Sequence, residues 1–131
     1  MENLDIPELS ALLKEQTDRL GPEHVDTLAT RHLLARRIAE NSGSAQAIPL
    51  YEQLVIDRSR VLGERHRYTL TSRHKLALCL AWCDQIESAR TMFEDVIRLL
   101  EETYGKDDDD VIRTRRWYIH HVLSKLEPPE D

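Results

Sequence analysis

Two cysteines are the first residues whose types and spacing could do chemistry. Cys79 and Cys83 are four residues apart in an apolar stretch of helix-forming residues, so they would lie one turn apart on one face of a helix. A zinc site needs four ligands, and no further Cys or His with ligand spacing accompanies the pair. Free cysteines commonly pack as small apolar side chains. The pattern favours buried structural thiols, and we predict no metal site.

A run of four aspartates, residues 107–110, is the next candidate, because clustered carboxylates can bind calcium. An EF-hand loop spreads its ligands over about twelve residues and ends in a glutamate. The sequence around the run has neither feature. Negative charge is favourable near a helix N-terminus. We therefore expect the run to form the solvated start of the last helix.

The remaining polar residues suggest no catalytic site. His120 and His121 are adjacent, and successive residues of a helix point about 100° apart, so the two side chains cannot readily share one metal ion. The sequence offers no nucleophile with a plausible base, no glycine-rich phosphate loop and no isolated carboxylate pair in an apolar setting. We predict a protein that is not an enzyme and uses no cofactor.

Composition narrows the class of protein further. The 131 residues carry a formal net charge of -6, which argues against general affinity for nucleic acid or anionic membranes. No segment approaches the roughly 20 apolar residues of a membrane span, and the N-terminus lacks the pattern of a signal peptide. Four Gly and five Pro leave long stretches of helix formers. We expect one all-α domain in the cytoplasm.

A 42-residue internal repeat organises these stretches. Leu-Gly-Pro-Glu-His at 20–24 recurs as Leu-Gly-Glu-Arg-His at 62–66 and, more weakly, as Tyr-Gly-Lys at 104–106. The N-terminal stretch matches the second half of a repeat, because Ile-Pro occurs at 6–7 and again at 48–49. We predict an orphan helix at about 6–19, repeats at 20–61 and 62–103, a C-terminal capping helix at about 108–126 and a tail at 127–131.

Each repeat is predicted to contain two amphipathic helices joined by a polar turn. Small residues recur at the helix centres: Ala35 and Ala77 in the first helix, Ala47 and Ala89 in the second. Small side chains let antiparallel helices approach closely. One pair of helices cannot bury both of its apolar faces, so neighbouring pairs must stack. We therefore expect the repeats to form one continuous array.

Three motifs carry a family resemblance. They are T-L-x-x-R-x-x-L-A in the first helix, A-x-x-x-Y-E-x-L in the second and V-L-G-x-x-H at the junction. Together they resemble the long tetratricopeptide (TPR) repeats of kinesin light chains and of bacterial signalling ATPases, over about residues 6–126. The resemblance implies a right-handed α-α superhelix, a TPR solenoid of about six antiparallel helices. It implies protein or peptide binding as the function, since the fold serves many partners.

The resemblance also implies that the first helices line a concave groove. Kinesin-type repeats often place Asn pairs before the Leu-Ala of the first helix, where this chain has 32–33, 74–75 and 116–117 without Asn. The three first helices sum to about +6 and the three second helices to about -7. A basic groove with an aromatic side chain would attract an acidic peptide. The candidate groove residues are His32, Arg36, His74, Lys75, Arg113, Arg116, Trp117 and His120.

An arginine series recurs with the same period. Arg31, Arg73 and Arg115 are each 42 residues apart, and Glu52 and Glu94 recur at the same interval on the second helices. We expect Arg–Glu pairs between the two helices of a unit. A ladder of arginines in the groove is the alternative.

Self-association is the second hypothesis for the function. The orphan helix would expose Leu9, Leu12 and Leu13 on the face that normally packs on its missing partner, and a homodimer through that end would cover them. In this interpretation the array is open at its N-terminal end and capped at its C-terminal end. A piece of a longer repeat array is a third possibility, although Met1 and the prolines near the C-terminus favour a complete product.

Overall fold

The computed structural model describes residues 3–126, and the regular secondary structure in this range is helical. The helices are α1 Ile6–Leu20, α2 Val25–Ser42, α3 Ser44–Leu62, α4 Arg67–Trp82, α5 Ile86–Tyr104 and α6 Asp109–Tyr118, followed by a π-helical turn Ile119–Leu123 and a short α7 Ser124–Leu126. Each of the helices α1 to α6 packs on its neighbours in sequence. Short connections make such neighbours antiparallel. The prediction of an all-α solenoid of about six antiparallel helices is confirmed.

The recurring small residues lie in the core between the helices. Ala35, Ala47, Ala77 and Ala89 are all buried. They share one core with the larger side chains that fill the space around them, including Tyr51 of α3. The first helices of the units are therefore α2, α4 and α6, and the second helices are α1, α3 and α5.

A glycine ends each second helix in the same conformation. Gly21, Gly63 and Gly105 have φ values of 94°, 97° and 91°, a region that is sterically costly for any residue with a Cβ atom. Each glycine N–H donates to the carbonyl oxygen four residues earlier. The turns between units therefore share one backbone geometry.

The residue three positions after each of these glycines is the N-cap of a first helix. Nδ1 of His24 accepts from the N–H of the residue two positions on at 3.1 Å, and Nδ1 of His66 does the same at 3.0 Å. In the third copy a carboxylate oxygen of Asp108 takes this role, also at 3.0 Å. The aspartate run thus starts a helix as expected. Asp108 and Asp110 also pair with Arg67 of α4.

The N-terminal helix differs from the prediction at Leu9. Leu9 is 0% exposed because it packs inward, so the expected exposure of this residue at the N-terminal end is wrong. Asp5 and Glu8 form a capping box at the start of α1, and they stand 42 residues before Ala47 and Leu50. Leu12 and Leu13, the other two residues of the predicted self-association set, are partly buried.

The C-terminal end exposes two apolar side chains. Ile112 is 44% exposed and Ile119 is 58% exposed, and Ile119 stands at the position of the buried Ala77. No second helix covers α6 within residues 3–126. The π-helical turn begins at Ile119, where the helix hydrogen bonds shift to a wider spacing. The description of this end as capped stays a prediction; two of its apolar side chains lie at the surface.

Candidate binding groove

Three adjoining clefts run across the first helices. The first cleft lies between α2, α3 and α4, and Arg36, Lys75 and Trp82 line it. The second lies between α4 and α6, where Lys75 is joined by Arg113 and Trp117. The third is formed by α6 and the π-helical turn, and it again includes Arg113 and Trp117. Because neighbouring clefts share residues, they form one continuous groove, which we call the binding groove.

Seven of the eight candidate residues line this groove. They are Arg36, His74, Lys75, Arg113, Arg116, Trp117 and His120. The eighth, His32, lines none of the three clefts and packs edge-on against the Tyr51 ring at 5.6 Å. Burial lowers the pKa of His32 to about 3, so its imidazole is neutral beneath the surface. The binding role of all eight residues stays a prediction.

His74 lines the groove, but its ring is held by contacts within the protein. Its Nδ1 is 2.9 Å from Oγ1 of Thr114 on α6, and its ring packs edge-on against Phe93. Burial lowers the pKa of His74 to about 4. This neutral imidazole therefore ties α4 to α6 and adds no positive charge to the groove.

Lys75 is the central charge of the groove. Burial lowers its pKa, and the nearby positive charge of Arg36 lowers it further. Arg36 has a carboxylate of Glu40 at 3.6 Å and Arg113 has one of Asp110 at 3.1 Å. Lys75 forms no ion pair within residues 3–126. It is thus a partly desolvated ammonium group without an ion-pair partner, on which the nearby charge of Glu40 acts in the opposite direction to Arg36.

An aromatic cluster lies beside these charges. Trp82 and Trp117 meet edge to face with ring centroids 6.3 Å apart, and His121 stacks on Trp117 at 4.7 Å. Half of Trp82 is exposed. Sequence reasoning missed Trp82 and His121, because Trp82 ends its helix outside the repeat motifs. His121 reaches Trp117 within the π-helical turn, for which the sequence gives no local signal.

The arginine series is structural, although its partners differ from the expected ones. Arg31 pairs with Asp57 at 2.7 Å, Arg73 has Asp95 at 3.8 Å, and Arg115 pairs with Glu101. Pairing between the two helices of one unit is therefore found for Arg31 and Arg73, whereas Arg115 of α6 pairs with α5 of the preceding unit. Glu52 and Glu94 were the wrong partners. Glu52 is exposed and Glu94 pairs along its own helix with Arg90 at 3.1 Å.

The described residues also bear on three other features, namely reactive thiols, metal sites and membrane-spanning helices. Cys79 is buried and Cys83 is partly buried, both as free thiols, and burial raises the pKa of Cys79. Among residues 3–126, no group of three or more His, Cys, Asp or Glu side chains could hold a metal ion. No helix in that range combines the length and the hydrophobicity needed to cross a membrane.

Comparison with known proteins gives two kinds of match. Residues 69–110, one period of the repeat, match the family model of the tetratricopeptide repeat. No curated protein matches the chain. Two crystal structures of a predicted kinesin light chain from Podosopora anserina, with nearly identical TPR-like repeats, are similar in fold. Each has a TM-score of 0.75 and 24% sequence identity over 92% of this chain. The match spans 59% of the length of those chains.

Proposed function

We propose that this chain is a non-catalytic adaptor whose binding groove takes an acidic segment of a partner protein, since residues 69–110 match the tetratricopeptide repeat model and the fold is similar to TPR-like repeats. The fold supplies the general function, because such repeats serve protein–protein interaction. The positive charge of the groove supports an acidic partner segment. Arg36, Lys75, Arg113 and Arg116 place positive charge along three first helices.

The observation that carries this proposal is the environment of Lys75. A partly desolvated ammonium group without a carboxylate partner raises the free energy of the unbound protein. The neighbouring guanidinium groups of Arg36 and Arg113 add repulsion. A carboxylate of a bound segment would offset both effects, and the arginines offer paired donors on either side. Trp82 and Trp117 provide apolar surface for the adjoining residue of the ligand.

Titration with a synthetic acidic peptide tests the proposal. Both tryptophans of the chain line the groove, so their intrinsic fluorescence reports whether it is occupied. We expect Lys75→Glu to weaken binding at least about tenfold, which corresponds to about 1.4 kcal/mol. Higher salt should also weaken binding, because screening reduces the attraction between charges.

Lys14→Glu is the matched control, since it makes the same charge change on an exposed site of α1. It should change affinity far less than Lys75→Glu, because it lies outside the groove. A peptide with Asn and Gln in place of Asp and Glu should bind weakly. Equal affinity for the two peptides, or equal effects of the two substitutions, would refute the acidic-ligand assignment.

A further inference from the structure

The third cleft of the binding groove, formed by α6 and the π-helical turn, differs from the other two in its charge. Its lining residues are Arg113, Arg116, Trp117, His120 and His121. None of these is acidic. Each of the other two clefts combines two Lys or Arg side chains with one carboxylate, which is Glu40 in the first and Asp110 in the second. The third cleft is therefore the most basic part of the groove.

The helical spacing places the basic side chains of this cleft next to each other. Arg116 follows Arg113 by three residues, and His120 follows Arg116 by four. Residues at these intervals are neighbours on the surface of a helix. Trp117 lies four residues after Arg113, and the His121 ring stacks on it at 4.7 Å. The two guanidinium groups thus share one cleft with an aromatic wall.

The protein neutralises these arginines only in part. Arg113 has a carboxylate oxygen of Asp110 at 3.1 Å, but that carboxylate also pairs with Arg67 at 2.5 Å. Arg116 is exposed and forms no ion pair within residues 3–126. Desolvation lowers the pKa of His121, and the positive charges of His120 and Lys125 lower it further. The described carboxylates therefore leave an excess of positive charge in the third cleft.

A phosphate monoester matches this excess better than a carboxylate does. It carries about -1.5 to -2 charges at pH 7 and three strong acceptor oxygens, whereas a carboxylate carries one charge on two oxygens. Arginine binds phosphate through paired N–H donors, and the imidazoles of His120 and His121 can donate as well. A single carboxylate suits the other two clefts, where one acidic side chain already offsets part of the positive charge.

We propose that the third cleft binds a phosphorylated side chain, such as phosphoserine, within the acidic segment of the partner. This inference rests on the proposed function, because the phosphate belongs to the same ligand. The carboxylates of the segment lie in the first two clefts, near Lys75. Phosphorylation of the partner then raises its affinity for the groove, so the protein distinguishes the modified partner from the unmodified one.

A position scan of one acidic peptide tests this assignment. Serine, glutamate or phosphoserine is placed at each position in turn, and tryptophan fluorescence measures the affinity of each peptide. At the position that reaches the third cleft, we expect phosphoserine to bind at least about tenfold more tightly than glutamate. Inorganic phosphate alone, at the same concentration, should leave the fluorescence unchanged.

Arg116→Gln should weaken binding of the phosphoserine peptide most, and should reduce its advantage over the glutamate peptide to about threefold or less. Arg116 is exposed, so circular dichroism should show unchanged helix content. Lys75→Glu should weaken all forms of the peptide and keep the ratio of their affinities. Arg19→Gln is the matched control, since it removes an exposed arginine of α1, outside the groove. It should change neither affinity nor ratio.

The results separate this inference from the proposed function. Acidic peptides that bind without preferring phosphoserine at any position would overturn the inference and leave the acidic-segment proposal intact. A preference that Arg116→Gln does not reduce would overturn the assignment to the third cleft. An equal fluorescence change with inorganic phosphate would mean that the cleft binds the free anion instead. If no form of the peptide binds, both proposals are wrong.

Discussion

At the scale of single residues, one buried position of the repeat holds a different amino acid in each of its three copies. Gln16, Arg58 and Leu100 are spaced by the repeat and are all buried. Arg58 donates to Oγ of Ser72 at 2.8 Å and to the carbonyl oxygen of Tyr68 at 3.1 Å. Burial lowers the pKa of Arg58 to about 10. It forms no ion pair within residues 3–126, so its desolvation is only partly offset.

The surroundings of Arg58 also differ from those of Leu100 at the neighbouring histidines. His74 has Thr114 as its hydrogen-bond partner, and Ser72 is the equivalent residue for His32. Ser72 accepts from Arg58, and Nδ1 of His32 has no partner among the described residues. In the next layer the position of Arg58 is Leu100, and Thr114 bonds to His74. The repeat itself thus contains the alternative arrangement.

Arg58→Leu should therefore keep or raise the free energy of unfolding, by up to about 2 kcal/mol, as found when buried ionic groups are replaced by apolar residues of suitable size. Urea denaturation of wild type and variant would measure the difference. Leu100→Arg is the reverse change and should destabilise by about 3 kcal/mol, because it buries an unpaired charge. A comparable decrease in the free energy of unfolding for Arg58→Leu would contradict this expectation. It would mean that the hydrogen bonds of the Arg58 guanidinium stabilise the protein by more than its desolvation costs.

At the scale of helices, the N-caps follow the repeat although their chemistry changes. His24 and His66 accept through an imidazole nitrogen, and Asp108 accepts through a carboxylate. Histidine is an unusual N-cap, since Ser, Thr, Asp and Asn are the preferred residues. Only an unprotonated Nδ1 can accept the bond. We therefore expect these two caps to stabilise their helices less than the third.

His66→Ala should lower the free energy of unfolding by about 1 kcal/mol, because the N–H of Tyr68 loses its acceptor. His66→Asp, which copies the third repeat, should preserve or increase stability. Thermal unfolding of the three proteins gives the comparison. His120→Ala serves as a control at an exposed site, and an equal loss there would show that the cap contributes nothing.

The sequence was sufficient to predict the helices. It was insufficient to predict which side chains pair across helices and which lie at the surface. Repeated Gly and small residues determine where helices end and approach, and both are local features that a period reveals. The partner of Arg31 depends on the rotation of α3, which brings Asp57 rather than Glu52 inward. Exposure of Ile119 depends on which elements pack on α6. Such facts follow from tertiary packing, which no local pattern encodes.

At the scale of the whole molecule, α4 is the best-buried element. Residues 76–81 are buried without interruption, because α3 packs on one side and α5 on the other. The outer elements have neighbours on one side only, namely α1 and the segment 119–126. In repeat proteins stability is approximately a sum over such neighbour contacts.

Hydrogen exchange measured by mass spectrometry should therefore show a gradient from the centre outward. We expect amides of α4 to exchange slowest, at a rate set by global unfolding. Amides of α1 and of the segment 119–126 should exchange faster, through local opening. Uniform protection along the chain would show that the array unfolds in one step.

The shared geometry of the Gly21, Gly63 and Gly105 turns makes the repeat a potential building block for protein engineering. The three φ values differ by only a few degrees, so a unit cut at one turn and joined at another would leave the chain in the same direction. A duplicated segment 63–104, inserted before Gly105, would add one first helix and one second helix. The groove would become longer by one unit, and its new layer would carry leucine in place of the buried arginine.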